Sequence, residues 1–296
     1  MFYGSLVALV TPFDGNNRVD YGSLKRLIDF HVEQGSNGLV IAGTSGESPT
    51  LKRSEHIELV GRSVEIADGR IPIVAGTGSN STFQSIELSN AVSDPRLAAY
   101  MAVVPYYNKP TQEGIFQHYS AIADGIDKPL LMYNVPGRTV ADMLPETVGR
   151  LSRHENIFGL KEATGDVDRL KQIQALVDDD FMLYSGDDFT LLPFIEQGGH
   201  GVVTVSGNVA PAQVARLCQL ASAGKAEEAK ALDDSLQPLN KALFIESNPI
   251  PVKWAVSQMG LMESHIRLPL TPYSEQYHED MRSAMRFAGV GLEESA

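Results

Sequence analysis

The sequence predicts an α/β protein, a (β/α)8 barrel of the TIM type followed by a C-terminal helical extension. Up to about residue 210, a short apolar run, a polar loop and an amphipathic segment recur eight times. Most of the runs are continuous, which is typical of parallel strands covered on both faces. The strand signal stops near residue 211. The eight predicted strands are Leu6–Val10, Gly38–Ala42, Ile71–Ala75, Ala99–Val104, Pro129–Tyr133, Ile157–Leu160, Phe181–Tyr184 and Val202–Val205.

An open doubly wound sheet is the alternative architecture. If it held a dinucleotide, it would carry Gly-x-Gly-x-x-Gly in the turn after its first strand. The chain has Thr11-Pro12-Phe13-Asp14 at that position. We therefore favour the barrel.

The segments between the predicted strands have the spacing of amphipathic helices. In the first of them, three apolar residues and His31 share one side of the helix, as expected for a face that packs on a sheet. Short polar side chains at Thr111 and Asp166 precede two of the segments and are predicted N-caps. The helices predicted in this part of the chain are Tyr21–Gln34, Glu55–Ala67, Gly114–Ala123 and Arg169–Val177.

Beyond the last strand, the pattern is helical only. The first helix of this part completes the eighth strand–helix unit, and no linker composition follows it. We therefore assign residues 1–223 to the barrel and residues 224–296 to an extension packed on it. The tail from Gly289 to Ala296 is expected to fray. The predicted helices are Gln213–Ala223, Ala226–Lys241, Pro251–Gln258 and Glu275–Ala288.

Composition excludes several classes of function. The chain carries 24 Lys and Arg against 37 Asp and Glu, a net charge of −13, which argues against nucleic acid and against anionic membranes. The longest apolar runs, such as 97–105, are far below the ~18 residues of a membrane span. The N-terminus shows no signal peptide, and the single Cys218 cannot form an internal disulfide. We expect a soluble, cytoplasmic protein that binds a small molecule.

The sequence shows none of the usual motifs for binding a metal ion or a phosphate group. The seven histidines are scattered, with no His-x-His and no HExxH pair, so no metal site is expected. Asp187-Asp188 is predicted to cap a helix or face solvent rather than to hold a cation. The loops after strands seven and eight have no run of glycines that opens a phosphate-binding helix. An unphosphorylated substrate is therefore expected.

Lys161 is the most informative candidate residue. It directly follows the apolar run 157–160, so its side chain should point toward the mouth of the barrel, where active sites of this fold lie. Burial of a lysine without a partner lowers its pKa and leaves a neutral amine that can attack a carbonyl. The alternative is a salt bridge to Glu162 or Asp187. Lys253 is a rival nucleophile, but it lies in the helical extension and is interpreted as structural.

Other polar residues fall on the same rim. Tyr133 ends the strand beside that of Lys161 and could relay protons, although buried tyrosines more often only fill a core. Only one of Tyr106 and Tyr107 can point inward. The hydroxyls and closely spaced N–H groups of 44–46 could form a carboxylate nest, or simply a tight turn. Arg138 could hold a carboxylate through two hydrogen bonds, or remain solvated.

The motifs that carry these candidates are Gly43-Thr44-Ser45-Gly46-Glu47, Tyr106-Tyr107-Asn108, Tyr133 to Thr139, Gly159-Leu160-Lys161-Glu162-Ala163, Ser185-Gly186-Asp187-Asp188 and Glu246 to Trp254. Together they resemble the dihydrodipicolinate synthase family, within the N-acetylneuraminate lyase superfamily of class I pyruvate aldolases. The likeness runs from Gly4 to about Gly289.

The resemblance implies condensation of pyruvate with L-aspartate 4-semialdehyde to 4-hydroxy-tetrahydrodipicolinate, in the diaminopimelate route to lysine. It implies no cofactor, because pyruvate forms an imine on Lys161. It also implies a homotetramer, a dimer of dimers, in which Tyr107 comes from the neighbouring subunit. The implied catalytic residues are Lys161, Tyr133, Thr44 and Tyr107, and the implied substrate-binding residues are Thr44, Ser45, Arg138, Gly186 and Val203.

Two departures from the family pattern concern different sites. Ser45 replaces a threonine but keeps the hydroxyl, so little loss is expected. In the implied lysine feedback site, Arg53 stands where lysine-sensitive members often have His, and Gln84 where they have Glu. The loss of a carboxylate and the added positive charge predict weak or absent inhibition by lysine. The implied effector positions are His56, Asn80, Gln84 and Tyr106.

Two other functions stay open at this point. The same Lys161 and Tyr133 would serve an aldolase or lyase acting on a keto-deoxy sugar acid or N-acetylneuraminate. Arg138 discriminates between the synthase and this aldolase or lyase, because the sugar-acid lyases typically lack Gly-Arg-Thr at the positions that match 137–139. The third hypothesis is a non-catalytic barrel retained as a binding or regulatory protein, and the joint presence of the candidate residues argues against it.

Overall fold

Eight parallel strands close into a barrel in chain order in the computed structural model, which describes residues 2–292. The predicted fold class is confirmed, and each predicted strand lies within two residues of an observed one. The strands are β1 Gly4–Ala8, β2 Gly38–Ile41, β3 Ile73–Gly76, β4 Ala99–Val103, β5 Leu130–Asn134, β6 Ile157–Glu162, β7 Met182–Ser185 and β8 Gly201–Thr204.

Helices follow the strands and continue into the C-terminal part. The helices predicted from periodicity are all present, and so are both predicted N-caps. The Thr111 hydroxyl accepts from the N–H of Gly114 at 3.1 Å, and the Asp166 carboxylate accepts from that of Asp168 at 3.0 Å. The helices are α1 Tyr21–Glu33, α2 Arg53–Ala67, α3 Thr82–Ala91, α4 Gln112–Asp124, α5 Pro136–Thr139, α6 Pro145–Leu151, α7 Val167–Gln174, α8 Leu191–Glu196, α9 Pro211–Ser222, α10 Ala226–Leu243, α11 Ile250–Ser257 and α12 His278–Phe287.

The periodicity did not predict α3, and its buried face explains why. The fully buried residues of this helix are Ser85 and Ser89. Each hydroxyl donates to the carbonyl oxygen four residues earlier, Ser85 to Ser81 at 3.1 Å and Ser89 to Ser85 at 2.8 Å. These bonds satisfy the buried hydroxyls within the helix itself. A small polar stripe thus takes the place of an apolar one.

Apolar side chains fill the barrel interior and separate it from the layer of core between strands and helices. The inward-facing residues form their own cluster, which includes Leu6, Val40, Val74, Met101, Leu131, Met182 and Val203. A second, larger cluster lies between the outer faces of the strands and the surrounding helices. Because the lower barrel is closed by packed side chains, a ligand can enter only at the carboxyl ends of the strands.

The C-terminal helices share the outer core with the barrel. Leu236 of α10, Val252 of α11 and Met281 of α12 belong to the same buried cluster as Leu24 of α1. The predicted fraying is wrong at Val290, which is buried and donates its N–H to Met285; residues 293–296 lie outside the described residues. Within residues 2–292, no helix combines the length and the hydropathy of a membrane span.

Candidate active site

Lys161 and Tyr133 meet at the carboxyl ends of neighbouring strands. Tyr133 of β5 is the register partner of Lys161 of β6, which in turn pairs with Tyr184 of β7. The Lys161 Nζ atom lies 4.0 Å from the centroid of the Tyr133 ring, and Lys161 is only 5% exposed. Tyr133 and Lys161 are therefore neighbours at adjacent strand ends, as predicted from the sequence.

Lys161 does not form the salt bridge to Glu162 or Asp187 that was the alternative to a catalytic role. Among the described residues, neither an ion pair nor a hydrogen bond involves its Nζ atom. Glu162 lies on the other face of β6, where its carboxylate accepts from the Asn134 amide at 3.1 Å and lies 3.4 Å from Arg169. Burial raises the pKa of Glu162, against the opposing effect of Arg169. The Asp187 carboxylate accepts from the N–H and hydroxyl of Thr190. The Lys161 amine is therefore left available for chemistry.

A small cavity of about 140 Å³ lies in front of Lys161. Gly186 makes room for it: a Cβ atom at this position would lie 2.9 Å from Lys161 Cε and 2.6 Å from Ala163 Cβ. The predicted residues Thr44, Ser45, Arg138 and Gly186 line this cavity together with Lys161 and Tyr133, and so do Ala8, Gly43, Met101, Val135, Ala163, Asp187, Val205, Phe244 and Asn248.

The loop after β2 presents Thr44 and Ser45 to this cavity. Non-glycine residues in the left-handed region stand on both sides of it, Ala42 with φ of 56° and Glu47 with φ of 54°. Such backbone conformations cost energy and persist only where the surroundings fix them, as at functional sites. Here the Glu47 carboxylate is held by Lys253, with Nζ and Oε1 2.5 Å apart. The buried ion pair therefore fixes the loop.

Lys253, the rival nucleophile, is part of that ion pair. Burial lowers its pKa to about 8 even though Glu47 opposes the shift, and a low pKa alone would suit a nucleophile. However, Lys253 is 1% exposed and does not line the cavity in front of Lys161. The structure supports the interpretation of Lys253 as structural.

Arg138 lies at the rim of the same cavity. It belongs to the short helix α5 and is exposed. Its Nη2 donates to the carbonyl oxygen of Asn248 at 3.3 Å, and no carboxylate within residues 2–292 pairs with it. Val140, just beyond α5, has φ of 63°, which is rare for a β-branched residue. The guanidinium is thus positioned by one hydrogen bond to the backbone and remains available to bind an anion.

A second cavity, of about 310 Å³, shares Thr44, Tyr133 and Arg138 with the first. Two of the implied effector residues, His56 and Tyr106, line it. His56 Nε2 lies 2.9 Å from the Gly76 carbonyl oxygen. Because that oxygen can only accept, Nε2 carries the proton and donates it. Burial lowers the pKa of His56.

The other effector positions lie outside that second cavity. Asn80 donates to the Tyr106 carbonyl oxygen at 3.2 Å, and the Gln84 amide oxygen accepts from Ser79 at 3.0 Å. Arg53 pairs with the Glu87 carboxylate at 3.4 Å. The positive charge of Arg53 is thus partly balanced by a neighbour, which the sequence interpretation did not foresee.

Two predicted residues are not on the walls of these cavities. Tyr107 is 88% exposed with φ of 74° and lines neither cavity. Val203 belongs to the barrel interior, and Val205, two residues further along, lines the small cavity instead. Phe244 and Asn248 were not predicted as site residues. They come from the connection between α10 and α11, whose motif gave no chemical signal beyond the resemblance.

Comparisons with known proteins identify the family of the chain. Residues 1–288 match the model of the Dihydrodipicolinate synthetase family. The chain belongs to this family. Because the match includes the C-terminal helices as well as the barrel, both parts of the chain belong to the family's common fold.

Relatives named within the dihydrodipicolinate synthetase family are similar over nearly the full chain. The 4-hydroxy-tetrahydrodipicolinate synthase of Pseudomonas savastanoi pv. phaseolicola is 54% identical over 98% of this chain and 99% of its own. The dihydrodipicolinate synthase of Acinetobacter baumannii, described as chloride inhibited and complexed with pyruvate, is 46% identical with a TM-score of 0.96 over 98% of this chain and 100% of that one. The Aquifex aeolicus synthase is 40% identical, also with a TM-score of 0.96, over 99% and 100%.

Proposed function

We propose that this chain is a lyase that condenses pyruvate with L-aspartate 4-semialdehyde to 4-hydroxy-tetrahydrodipicolinate, in the cytoplasmic biosynthesis of lysine. The observation that carries the proposal is the buried Lys161 amine, without an ion pair among the described residues, facing a cavity of about 140 Å³. A cavity of this size suits a small acid rather than a drug-sized ligand. Two relatives named 4-hydroxy-tetrahydrodipicolinate synthase, at 54% and 50% identity, support this choice of substrates.

Lys161 supplies the covalent chemistry. Its neutral amine attacks the C2 carbonyl of pyruvate, and loss of water leaves a protonated imine. The imine withdraws electrons, so the methyl group loses a proton and becomes the nucleophilic carbon of an enamine. This carbon attacks the aldehyde of the second substrate. The substrate's own amine then displaces Lys161 and closes the ring, which regenerates the free lysine.

Tyr133 transfers the protons of these steps, since its ring packs directly on the Lys161 amine. Thr44 would connect it to Tyr107 of a neighbouring subunit, because Tyr107 is exposed and does not line the cavity of its own chain. We therefore propose that the active unit is a homodimer and that two dimers pair into a homotetramer. Gly186 lines the pocket, Val203 belongs to the packed barrel interior rather than to the pocket wall, and Ser45 and Thr44 bind the pyruvate carboxylate.

Reductive trapping tests the proposal directly. Incubation with pyruvate and borohydride should add one reduced pyruvate unit to the protein, and peptide mass spectrometry should locate it on Lys161. The Lys161→Met variant should take up no adduct, whereas a variant at the exposed Lys171 of α7 should label like the parent. Absence of any adduct on the parent protein would overturn the proposal.

Replacement of Arg138 by alanine should weaken the use of aspartate semialdehyde. A hydrogen-bonded charge pair contributes about 1.5–3 kcal/mol, so kcat/KM for the semialdehyde should fall by roughly 10- to 100-fold, while pyruvate trapping persists. Arg62→Ala, at a half-exposed arginine on α2, is the control. An unchanged kcat/KM in Arg138→Ala would favour the alternative, an aldolase acting on a keto-deoxy sugar acid or N-acetylneuraminate.

Lysine should inhibit this enzyme weakly or not at all. Gln84 offers no charge to an effector's amine, and Arg53 repels it even though Glu87 balances part of that repulsion. We expect an inhibition constant above about 1 mM, a binding free energy weaker than about −4 kcal/mol. Steady-state assays with added lysine measure it, and the variant Gln84→Glu should become more sensitive. A micromolar constant for the parent would contradict this prediction.

A further inference from the structure

The connection between α10 and α11, residues 244–249, closes one side of the small cavity. Phe244 and Asn248 contribute side chains to its wall. Asn248 is 6% exposed, although it belongs to no helix or strand. A buried amide has a high cost unless its donors and acceptors are satisfied. Its partners therefore indicate why an asparagine stands there.

Asn248 contacts both of the groups that we assign to substrate carboxylates. Its Nδ2 donates to the Ser45 hydroxyl oxygen at 3.0 Å, and its Oδ1 lies 3.4 Å from the same hydroxyl. Its carbonyl oxygen accepts from Arg138 Nη2 at 3.3 Å. Ser45 belongs to the proposed pyruvate nest and Arg138 to the proposed semialdehyde site. One residue thus bridges the two binding groups.

The hydroxyl geometry has a chemical consequence. A serine hydroxyl has one proton and two lone pairs. The bond from Nδ2 occupies a lone pair, so the proton can be donated only elsewhere. In this structure its acceptor is Oδ1 of Asn248, at the longer distance of 3.4 Å. A carboxylate in the cavity would offer a stronger, charged acceptor for the same proton.

The backbone around Asn248 is fixed relative to the Ser45 loop. Lys253, in the first turns of α11, forms the buried ion pair with Glu47, which lies two residues after Ser45. The connection and the loop are therefore held to each other at two points, by the amide at one and by the ion pair at the other. This anchoring makes the Asn248–Ser45 contact a stable part of the site.

We propose that Asn248 is a positioning residue that aims the Ser45 hydroxyl proton at the carboxylate of pyruvate and, through its main-chain oxygen, holds Arg138 for the carboxylate of the second substrate. This inference rests on the proposed function. The side chain of Asn248 affects pyruvate binding, whereas its main-chain carbonyl oxygen, which any residue would supply, holds Arg138. Side-chain substitutions should therefore affect one substrate more than the other.

The asymmetry gives a test by steady-state kinetics. Asn248→Ala should raise KM for pyruvate about 3- to 10-fold, the effect of one net hydrogen bond, and change KM for the semialdehyde less. Asn248→Asp keeps the shape but cannot donate, and its charge faces the pyruvate carboxylate. It should raise KM for pyruvate more than alanine does. Ser247→Ala, at an exposed residue of the same connection, should leave both constants unchanged.

A double-mutant cycle separates positioning from a merely structural role. If Asn248 acts through Ser45, the double variant Asn248→Ala/Ser45→Ala should be no worse than Ser45→Ala alone. Additive losses, equal losses for both substrates, or an aspartate variant that binds pyruvate like the parent would each overturn the proposal. Borohydride trapping of the parent keeps the two ideas distinct, because a labelled parent with unaffected Asn248 variants refutes this inference while leaving the proposed function intact.

Discussion

Replacing Lys161 with methionine is expected to lower kcat for the condensation by on the order of 10⁴-fold or more, the scale seen when an enzyme loses its nucleophile. Methionine has nearly the same length but cannot form an imine. Pyruvate KM loses its meaning in such a variant, so binding is followed by calorimetry and turnover by a coupled assay. A loss below 10-fold would show that the reaction does not pass through this amine.

The stability of the same variant should not fall. Lys161 is 5% exposed and has no ion pair among the described residues, so the fold bears the cost of burying its polar group. An apolar residue of similar size removes that cost. We expect the thermal midpoint of Lys161→Met to equal or exceed that of the parent. A large drop in the midpoint would mean that the lost activity reflects unfolding instead.

The barrel could be predicted from the sequence because its strands are continuous apolar runs. Such runs are produced by burial on both faces and leave a strong local signal. Lys161 could be predicted for the related reason that a charged residue directly after the run 157–160 must lie at the strand's carboxyl end. Helix α3 left no such signal, since its buried face consists of Ser85 and Ser89.

The part of the site formed by the C-terminal connection could not be predicted from local pattern. Asn248 and Ser45 are 203 residues apart in sequence, and only the packing of the extension on the barrel brings them together. Tyr107 illustrates another limit, because it is 88% exposed in this chain and its proposed role depends on a neighbouring subunit. Val203 shows a third: this inward residue of β8 lies in the core, while Val205, two residues later and just after the strand, lines the cavity.

Replacing Lys253 with methionine is expected to destabilise the protein by about 3–5 kcal/mol, because removal of one partner leaves a buried charge uncompensated. The Glu47 side chain would keep the N–H of Arg267, at 3.1 Å, as its remaining polar partner. The ammonium group also lies 4.2 Å from the centroid of the Phe13 ring, and this contact would be lost as well. Chemical denaturation measures the free energy of unfolding.

A matched double variant shows whether the loss of stability in Lys253→Met comes from the unpaired charge or from changed packing. In Glu47→Gln/Lys253→Met no charge remains at the pair, and the glutamine oxygen can still accept from the Arg267 N–H. Since replacing a buried ion pair with neutral groups is often close to neutral, the double variant should regain most of the lost stability. Equal losses in the single and double variants would instead assign the effect to the shape of the side chains. Because Glu47 fixes the loop of Thr44 and Ser45, the single variant should also bind pyruvate less tightly, and the double variant should recover part of that affinity.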